Sequence, residues 1–245
     1  MYSIKYRKPQ KISEAVSELQ NSEDASLLAG GHTLIPTLKQ RLANPNLLID
    51  ISGCGLSGVT KIGNEFRIGA TTCHADVASN TDIARSNPGL VQLAGGIGDR
   101  QVRNCGTIGG SLANNDPAAC YPSAVLALNG TIHTNKRKIE ASNFFIGMFE
   151  TALDEDEIIT AVSLPNPQIS AYVKFPNPAS RYAMVGVFVA KFTDAVRVAV
   201  TGAGEDGVFR ATTIEGALFD NFAVEALDNI TIPEDGLMED IHATP

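Results

Sequence analysis

Ala-Gly-Gly-His-Thr at residues 29–33 and Thr-Ile-Gly-Gly-Ser at residues 107–111 are the stretches that decide the fold. Each places a glycine pair at the end of an apolar run. Because glycine has no Cβ, bare backbone can approach a ligand there and point N–H groups at an anion. Two such turns would hold an extended diphosphate ligand from two sides, although a tight turn alone explains either pair.

The composition is that of an ordinary globular protein. The chain has 245 residues, of which 44% are hydrophobic and 19% charged, and its formal net charge is −8. Its one basic block is Lys136-Arg137-Lys138, so nucleic acid is not expected as a partner. No run approaches the roughly 20 apolar residues of a membrane span, so no integral membrane segment is predicted.

The four cysteines, at positions 54, 73, 105 and 120, form no C-x-x-C pair, and no histidine lies at ligand spacing from them. We therefore predict no metal site within this chain. The first eight residues lack the apolar region of a signal peptide. A reducing cytoplasm with free thiols is the predicted location.

Strands and helices are mixed without regular βαβ alternation, which indicates an α+β fold. The clearest patterns are a helix over 12–19, a helix over 74–84, hairpins at 59–70 and 131–139, and three strands between 171 and 202. A strand over 158–164 ends at Pro165 and Pro167, which we take as a domain boundary. The predicted segments are 1–52, 53–167 and 168–245.

Three further motifs have ordinary explanations. Residues 202–207 match G-x-G-x-x-G, but β-like residues follow where a dinucleotide site needs a helix, so a hairpin is predicted. Gly95-Gly96-Ile97-Gly98 lies in a helical pattern, which favours a packing or helix-end role. The acidic run 154–157 is interpreted as a solvated turn, with paired-carboxylate catalysis as the weaker alternative. His32 lies inside the first glycine stretch, where it either contacts a ligand or is a polar loop residue.

Together with their flanks, the two stretches resemble a known family. Residues 29–42 (with Leu34, Ile35 and Pro36 after the glycines) and residues 97–117 (with Gln101-Val102-Arg103-Asn104 before them) are similar to the two FAD loops of the flavoprotein, or medium, subunits of molybdenum hydroxylases. The subgroup most resembled is the aerobic carbon monoxide dehydrogenases. Arg181-Tyr182-Ala183 and Gly202-Ala203-Gly204 resemble the C-terminal domain of that family, so the similarity runs along the whole chain.

The resemblance implies a two-lobed FAD-binding domain of the vanillyl-alcohol-oxidase type over 1–167, with lobes of about 1–52 and 53–167. A smaller α+β domain, either naturally short or truncated, would occupy 168–245. FAD would lie between the lobes. The resemblance implies these cofactor-binding residues: Ala29, Gly30, Gly31, His32, Thr33, Thr107, Ile108, Gly109, Gly110, Ser111, Asp116, Leu164, Lys174 and Tyr182. The alternative interpretation of Lys174 is an exposed lysine on a strand. The alternative interpretation of Tyr182 is a residue packed in the core.

The resemblance further implies an oxidoreductase subunit without catalytic acid or base. A large subunit would hold molybdenum, and a small subunit with two [2Fe–2S] clusters would pass electrons to the FAD of this chain. An external acceptor such as a quinone, NAD or oxygen would receive them, in a heterotrimer that dimerises to a heterohexamer. Two alternatives stay open: a stand-alone FAD-dependent oxidoreductase of the same superfold, and a flavin-free binding or assembly module.

The chain departs from the family at two places. Some relatives, including xanthine-oxidising enzymes, have a cofactor-contacting Asp where this chain has Cys120, and Asp116 is our hypothesis for a compensating carboxylate. Related chains usually continue with a further helix beyond residues 241–245, so the C-terminus of this chain is either naturally short or incomplete. The resemblance implies that the substrate pocket of the whole complex lies on another polypeptide.

Overall fold

The computed structural model describes residues 2–239 and 243–244. Its first sheet is parallel, with strand order β1-β3-β2. Helix α1 buries Ala15 against Ile49 and Ile51, because its apolar residues recur on one face. The elements of this lobe are β1 (Lys5–Arg7), α1 (Ile12–Gln20), β2 (Ala25–Leu28), α2 (Leu34–Lys39) and β3 (Leu47–Asp50).

The second sheet is antiparallel, with strand order β4-β5-β10-β6-β7, and a separate two-stranded hairpin, β8-β9, lies beside it. In the chain, six short helices lie between strands β5 and β6 of this sheet. The strands are β4 (Val59–Ile62), β5 (Glu65–Gly69), β6 (Thr131–Thr134), β7 (Lys138–Glu140), β8 (Phe145–Gly147), β9 (Glu150–Thr151) and β10 (Ile159–Pro165). The helices are α3 (His74–Ala78), α4 (Thr81–Ser86), α5 (Pro88–Gly95), α6 (Arg100–Arg103), α7 (Ile108–Asn114) and α8 (Tyr121–Ala127).

The largest apolar core lies between this second sheet and its helices. Phe66, Tyr121 and Phe144 are among its fully buried side chains. Tyr172 and Phe188, from the next sheet, belong to the same cluster. This shared core fixes the third sheet against the second lobe.

The third sheet is antiparallel, with strand order β11-β12-β13-β14; helices α5 and α8 of the second lobe contact it, and a further helix, from the same part of the chain as the sheet, packs on its third strand. Val198 and Leu218 are buried together on the side that the helix covers. The elements are β11 (Ile169–Pro176), β12 (Ala183–Lys191), β13 (Val196–Thr201), β14 (Phe209–Arg210) and α9 (Thr212–Asp220).

This mixed architecture agrees with the predicted α+β class, and both predicted hairpins form. One prediction was wrong: a single helix over 74–84. Helix α3 ends at Ala78, and Asn80 starts α4, because its side-chain oxygen accepts hydrogen bonds from the N–H groups of Asp82 and Ile83. Residues 202–207 form the predicted hairpin connection. A helix follows over 212–220, and residues 224–227 form a 3₁₀ turn.

Among the described residues, no helix is long and apolar enough to cross a membrane. The proposed domain limits, 1–167 and 168–245, stay predictions. Residues 240–242 and 245, which precede the point where we expected related chains to continue as a helix, lie outside the described residues.

Candidate functional site

A cleft of about 760 Å³ lies where the three sheets meet. Its volume is within the usual range for small-molecule sites. Three parts of the chain form its walls: residues 29–34 of the first lobe, residues 106–120 of the second, and Lys174 with residues 180–182 of the third sheet. The two glycine stretches therefore face one cavity, as the sequence predicted.

The first glycine stretch presents backbone donors. In the described part of the chain, no atom accepts a hydrogen bond from the N–H groups of residues 30–33. The turn forms because Gly31 has φ +69°, a conformation that glycine adopts without strain. The carbonyl of Gly31 accepts the N–H of Ile35 at 2.9 Å, which joins the turn to α2. Unpaired N–H groups on a concave wall are suited to binding an anion.

Gly30 lets the two stretches touch. A Cβ at this position would lie 2.2 Å from the carbonyl oxygen of Cys105 and 2.8 Å from the Cα of Gly106. Real Cβ atoms essentially never approach backbone so closely. The glycine at position 30 is therefore required for the backbone of the first lobe to lie against that of the second.

The second glycine stretch differs from the prediction, because it begins helix α7 and its N–H groups are already paired. Ile108 donates to the carbonyl of Thr72 and Gly109 to that of Ala70. Gly110 donates to the Thr107 hydroxyl at 3.2 Å, and Ser111 to the Thr107 carbonyl. The expectation that residues 108–111 offer free N–H groups is thus wrong, since the helix and its cap use them.

Close packing explains the glycines of the second stretch. A Cβ on Gly109 would lie 2.6 Å from the Cβ of Ala70, and one on Gly110 would lie 2.9 Å from the Thr107 hydroxyl oxygen. The small residues let α7 pack close to its neighbours. The wall of the cleft includes Thr107, Gly109, Gly110 and Ser111. This stretch supplies space and hydroxyl groups, whereas the first supplies N–H donors.

Lys174 brings a cation to the third wall. Its ammonium donates to the carbonyls of Gly96, at 2.6 Å, and Arg181, at 2.9 Å, and it lies 3.7 Å from the sulfur of the buried Cys120. Gly96 follows the last residue of α5, as the sequence indicated. Lys174 is thus a fixed cation in the cleft rather than a free surface lysine.

Asp116 and Tyr182 lie near each other in the cleft wall. The Asp116 carboxylate accepts the N–H of Ala118 at 2.9 Å, which stabilises the loop after α7. Burial, together with the charges of Asp116 and Cys120, raises the pKa of the Tyr182 hydroxyl. Tyr182 is 48% exposed, so it is not the core residue of the alternative interpretation. A neutral aromatic ring therefore borders the cavity.

Two of the predicted cofactor residues do not line the cleft. The side chains of Ile108 and Leu164 are fully buried in the core of the second lobe. A Cβ on Gly130 would lie 2.8 Å from Leu164 Cδ2, which places that side chain on the helix α8 side of the sheet. We correct the expectation that Leu164 borders the cofactor, because its position on β10 points it into the core.

His74 lines the cleft and was not among the predicted site residues. It is buried against Tyr121, with ring centroids 5.2 Å apart, and its Nδ1 has no hydrogen-bond partner among the described residues. Burial, with smaller contributions from His32 and Arg103, lowers the pKa of His74 to about 4. Its imidazole is therefore neutral at pH 7. A histidine opening a helix carries no sequence signal that distinguishes it from a core residue.

Glu157 also borders the cleft, and it is not part of a solvated turn. Its carboxylate is buried and accepts hydrogen bonds from the Arg137 guanidinium at 2.9 Å, from the Thr134 hydroxyl and from the Asp154 N–H. The Arg137 hydrogen bond is the main cause that lowers the pKa of Glu157 to about 2. The last residue of the acidic run thus joins the hairpin β6-β7 to strand β10.

The described residues contain no group of three or more His, Cys, Asp or Glu side chains that could hold a metal ion. The cleft fits a dinucleotide: it has unpaired N–H donors for a diphosphate, glycines that bring the two stretches close together, and a fixed cation. Fold and site together define a flavoprotein of the two-lobed FAD-binding class.

The comparison with known families agrees. The family described as "FAD binding domain in molybdopterin dehydrogenase" matches residues 2–167. The chain belongs to this family, it is an oxidoreductase flavoprotein subunit, and its cofactor is FAD.

Curated relatives are similar over most of their length. The nicotine 6-hydroxylase medium subunit of Paenarthrobacter nicotinovorans is 35% identical, with 82% of this chain and 75% of that one aligned. The carbon monoxide dehydrogenase medium chain of Hydrogenophaga pseudoflava is 32% identical over 94% of this chain and 86% of its own. Among solved structures, carbon monoxide dehydrogenase from the same organism superposes with a TM-score of 0.85 at 34% identity, covering 92% of this chain and 84% of that chain. These relatives favour a subunit over a stand-alone oxidoreductase.

Proposed function

We propose that this chain holds FAD between its lobes and connects a partner iron–sulfur subunit to an external electron acceptor. The observation that carries the proposal is the row of unpaired N–H groups at residues 30–33 inside the cleft. When bound, FAD would supply the redox chemistry, which is electron transfer from [2Fe–2S] clusters to a quinone, NAD or oxygen.

The residues of this chain bind and orient the cofactor. The N–H groups of residues 30–33 would donate to the diphosphate, and His32 is exposed beside them at the cleft wall. Thr107, Gly109, Gly110 and Ser111 form the opposite wall. No side chain needs to move a proton, which agrees with a neutral His74 and a Glu157 committed to Arg137.

Lys174 and Tyr182 act at the third wall. Carbonyls of Gly96 and Arg181 fix the Lys174 ammonium, so its charge stays in place when negative charge enters the cleft. In a cavity of low dielectric, such a preorganised cation stabilises that negative charge more than a solvated one would. The neutral ring of Tyr182 borders the same space.

The partners follow from the relatives, several of which are named as medium subunits or medium chains. We propose a large molybdenum subunit and a small [2Fe–2S] subunit, assembled as a heterotrimer that dimerises in the cytoplasm. The named relatives include a nicotine hydroxylase and a glyceraldehyde dehydrogenase beside carbon monoxide dehydrogenases, at 32–36% identity. Substrate choice therefore belongs to the large subunit.

The test is reduction of the FAD-loaded chain by its iron–sulfur subunit under anaerobic conditions. We expect the flavin absorption to bleach on mixing with the reduced partner and to recover when an acceptor is added. A loaded chain that stays oxidised beside the reduced partner would contradict the proposal. Reduction by a small organic substrate without any partner would instead favour a stand-alone oxidoreductase.

Removal of the Asp116 carboxylate is expected to weaken FAD binding about tenfold, the worth of one hydrogen bond to a charged group. Asp116 borders the cleft. It lies four residues before Cys120, the position at which some relatives, including xanthine-oxidising enzymes, carry an Asp. Fluorescence titration with FAD measures the effect in Asp116→Ala. Asp116→Asn is the matched variant, because its amide oxygen can still accept the Ala118 N–H.

The pair of variants separates two roles of Asp116. Loss of affinity in both shows that the carboxylate contacts the cofactor. Loss in Asp116→Ala alone shows that Asp116 only shapes the loop, and unchanged affinity in both rules the compensation hypothesis out.

A further inference from the structure

Cys120 lies at a fixed point of the cleft wall. It directly precedes helix α8, it lines the cleft, and it is only 5% exposed. The Thr201 hydroxyl donates to the carbonyl oxygens of Pro117 and Ala119, at 2.8 and 2.7 Å. The Ser123 hydroxyl donates to the carbonyl of Cys120 itself at 2.8 Å. Because these bonds hold the main chain on both sides of Cys120, the position of its sulfur is set by the fold.

The contacts of the Lys174 ammonium fix it without cancelling its charge. It donates to the carbonyls of Gly96 and Arg181, and it lies 3.7 Å from the Cys120 sulfur. Carbonyl and thiol groups are neutral acceptors, and sulfur is a weak one. In the described part of the chain, Lys174 forms no ion pair with a carboxylate, not even with Asp116, which also borders the cleft.

Tyr172 completes the surroundings of the sulfur. It lies two residues before Lys174 on β11, so both side chains point to the same face of the strand. Its hydroxyl is buried and has no hydrogen-bond partner among the described residues. Burial and the neighbouring Cys120 raise the pKa of this hydroxyl, so it stays neutral. The Cys120 sulfur is therefore surrounded by a fixed cation and a neutral phenol.

We propose that Cys120 is a positioning residue that supports Lys174 in the cleft, leaves its positive charge uncompensated and so raises the reduction potential of the bound flavin. The inference rests on the proposed function, because reduction of FAD adds negative charge to the cleft. The diphosphate is assigned to residues 30–33, so the ring is assigned to the wall formed by Lys174 and the exposed Tyr182. A cation there stabilises the more negative state, and it does so most strongly when no carboxylate neutralises it.

The experiment measures the reduction potential of the FAD-loaded chain by anaerobic equilibration with a reference dye. Cys120→Asp is the main variant, because its carboxylate would pair with the Lys174 ammonium and cancel the charge. We expect the affinity for reduced flavin relative to oxidised flavin to fall about tenfold, which lowers the two-electron potential by about 30 mV. Cys120→Asn is the matched control, since the amide has the shape of the Asp carboxylate without its charge, and it is expected to stay near the wild-type potential.

Two further variants keep the proposal falsifiable if Cys120→Asp does not fold. Cys120→Ser replaces the thiol by a neutral hydroxyl of similar size, and it is expected to retain the wild-type potential. Lys174→Gln removes the ammonium, and it is expected to lower the potential in the same direction as Cys120→Asp. Circular dichroism and the FAD content of each variant check the fold and the loading.

The outcomes separate this inference from the proposed function. A wild-type potential in Cys120→Asp, or equal shifts in the Asp and Asn variants, would overturn the role assigned to Cys120 and leave the proposed function intact. A higher potential in Cys120→Ser would also overturn it, because the wild-type sulfur would then already neutralise Lys174. An unchanged potential in Lys174→Gln would remove the cation from the argument and overturn it as well. A wild-type chain that takes up no FAD, alone or with its partner subunits, would overturn both.

Discussion

The Gly30→Ala variant is expected to bind FAD about 100-fold more weakly than the wild type while remaining folded. The added Cβ would lie 2.2 Å from the Cys105 carbonyl oxygen, which is backbone and cannot rotate away. The first glycine stretch must therefore move from the second lobe. Its N–H groups would then miss the position where the diphosphate binds, although each lobe retains its own core.

FAD titration monitored by flavin fluorescence measures the loss, and circular dichroism checks the fold. Gly216→Ala is the matched control, because Gly216 lies in helix α9 and a Cβ there meets no atom within 4 Å. Gly110→Val is expected to weaken FAD binding as well, since its side chain would meet the Thr107 hydroxyl from 2.9 Å. Normal FAD affinity in Gly30→Ala would contradict the role assigned to the contact between the stretches.

Glu157→Gln is expected to remove a pH-dependent contribution of roughly 3 kcal/mol to the free energy of unfolding. The folded state lowers the Glu157 pKa from 4.5 to about 2, chiefly through the Arg137 hydrogen bond. A carboxyl group whose pKa is lower in the folded state than in the unfolded chain stabilises the fold at pH values above its unfolded-state pKa. This contribution is complete above about pH 4.5 and is lost as pH falls towards 2.

Urea unfolding at a series of pH values measures this contribution as the difference between wild type and variant. Glu155→Gln is the matched control, because Glu155 is exposed on the same loop and pairs with no described cation. We expect the difference to be largest near neutral pH and to shrink below pH 4.5. A difference that stays constant down to pH 2 would show that the ion pair does not contribute through charge.

Periodicity and turn chemistry predict the regular parts of this fold well. Alternating apolar residues and central turn residues identify the hairpins β4-β5 and β6-β7 within one or two residues. The first helix agrees because its apolar face packs on the small parallel sheet. The break between α3 and α4 was missed, since Asn80 acts as a cap only through two hydrogen bonds of its side chain.

The candidate site could be predicted in location but not in detail. Both glycine stretches border the cleft, as expected from their sequence, yet only the first leaves its N–H groups unpaired. That difference depends on Thr72 and Ala70, whose carbonyls reach the second stretch through tertiary packing. A local pattern contains no information about such partners.

Long-range contacts also explain the residues that were missed or misassigned. Glu157 looked like part of a solvated acidic run, but Arg137, 20 residues away, buries and neutralises it. Asn115 stands in an unremarkable polar stretch, yet it fixes a hairpin 32 to 35 residues further along the chain. Leu164 was assigned to the cofactor site from the family resemblance, whereas its position on the strand directs its side chain into the core.

The most direct test of the account is the absorption spectrum of the purified chain before and after addition of FAD, with the released cofactor identified. We predict one bound FAD per chain, with flavin bands that persist after removal of free cofactor in the wild type and are lost in Gly30→Ala. A folded wild-type chain that takes up no FAD, alone or together with its molybdenum and iron–sulfur subunits, would contradict the claim that the cleft between the two glycine stretches is the FAD site.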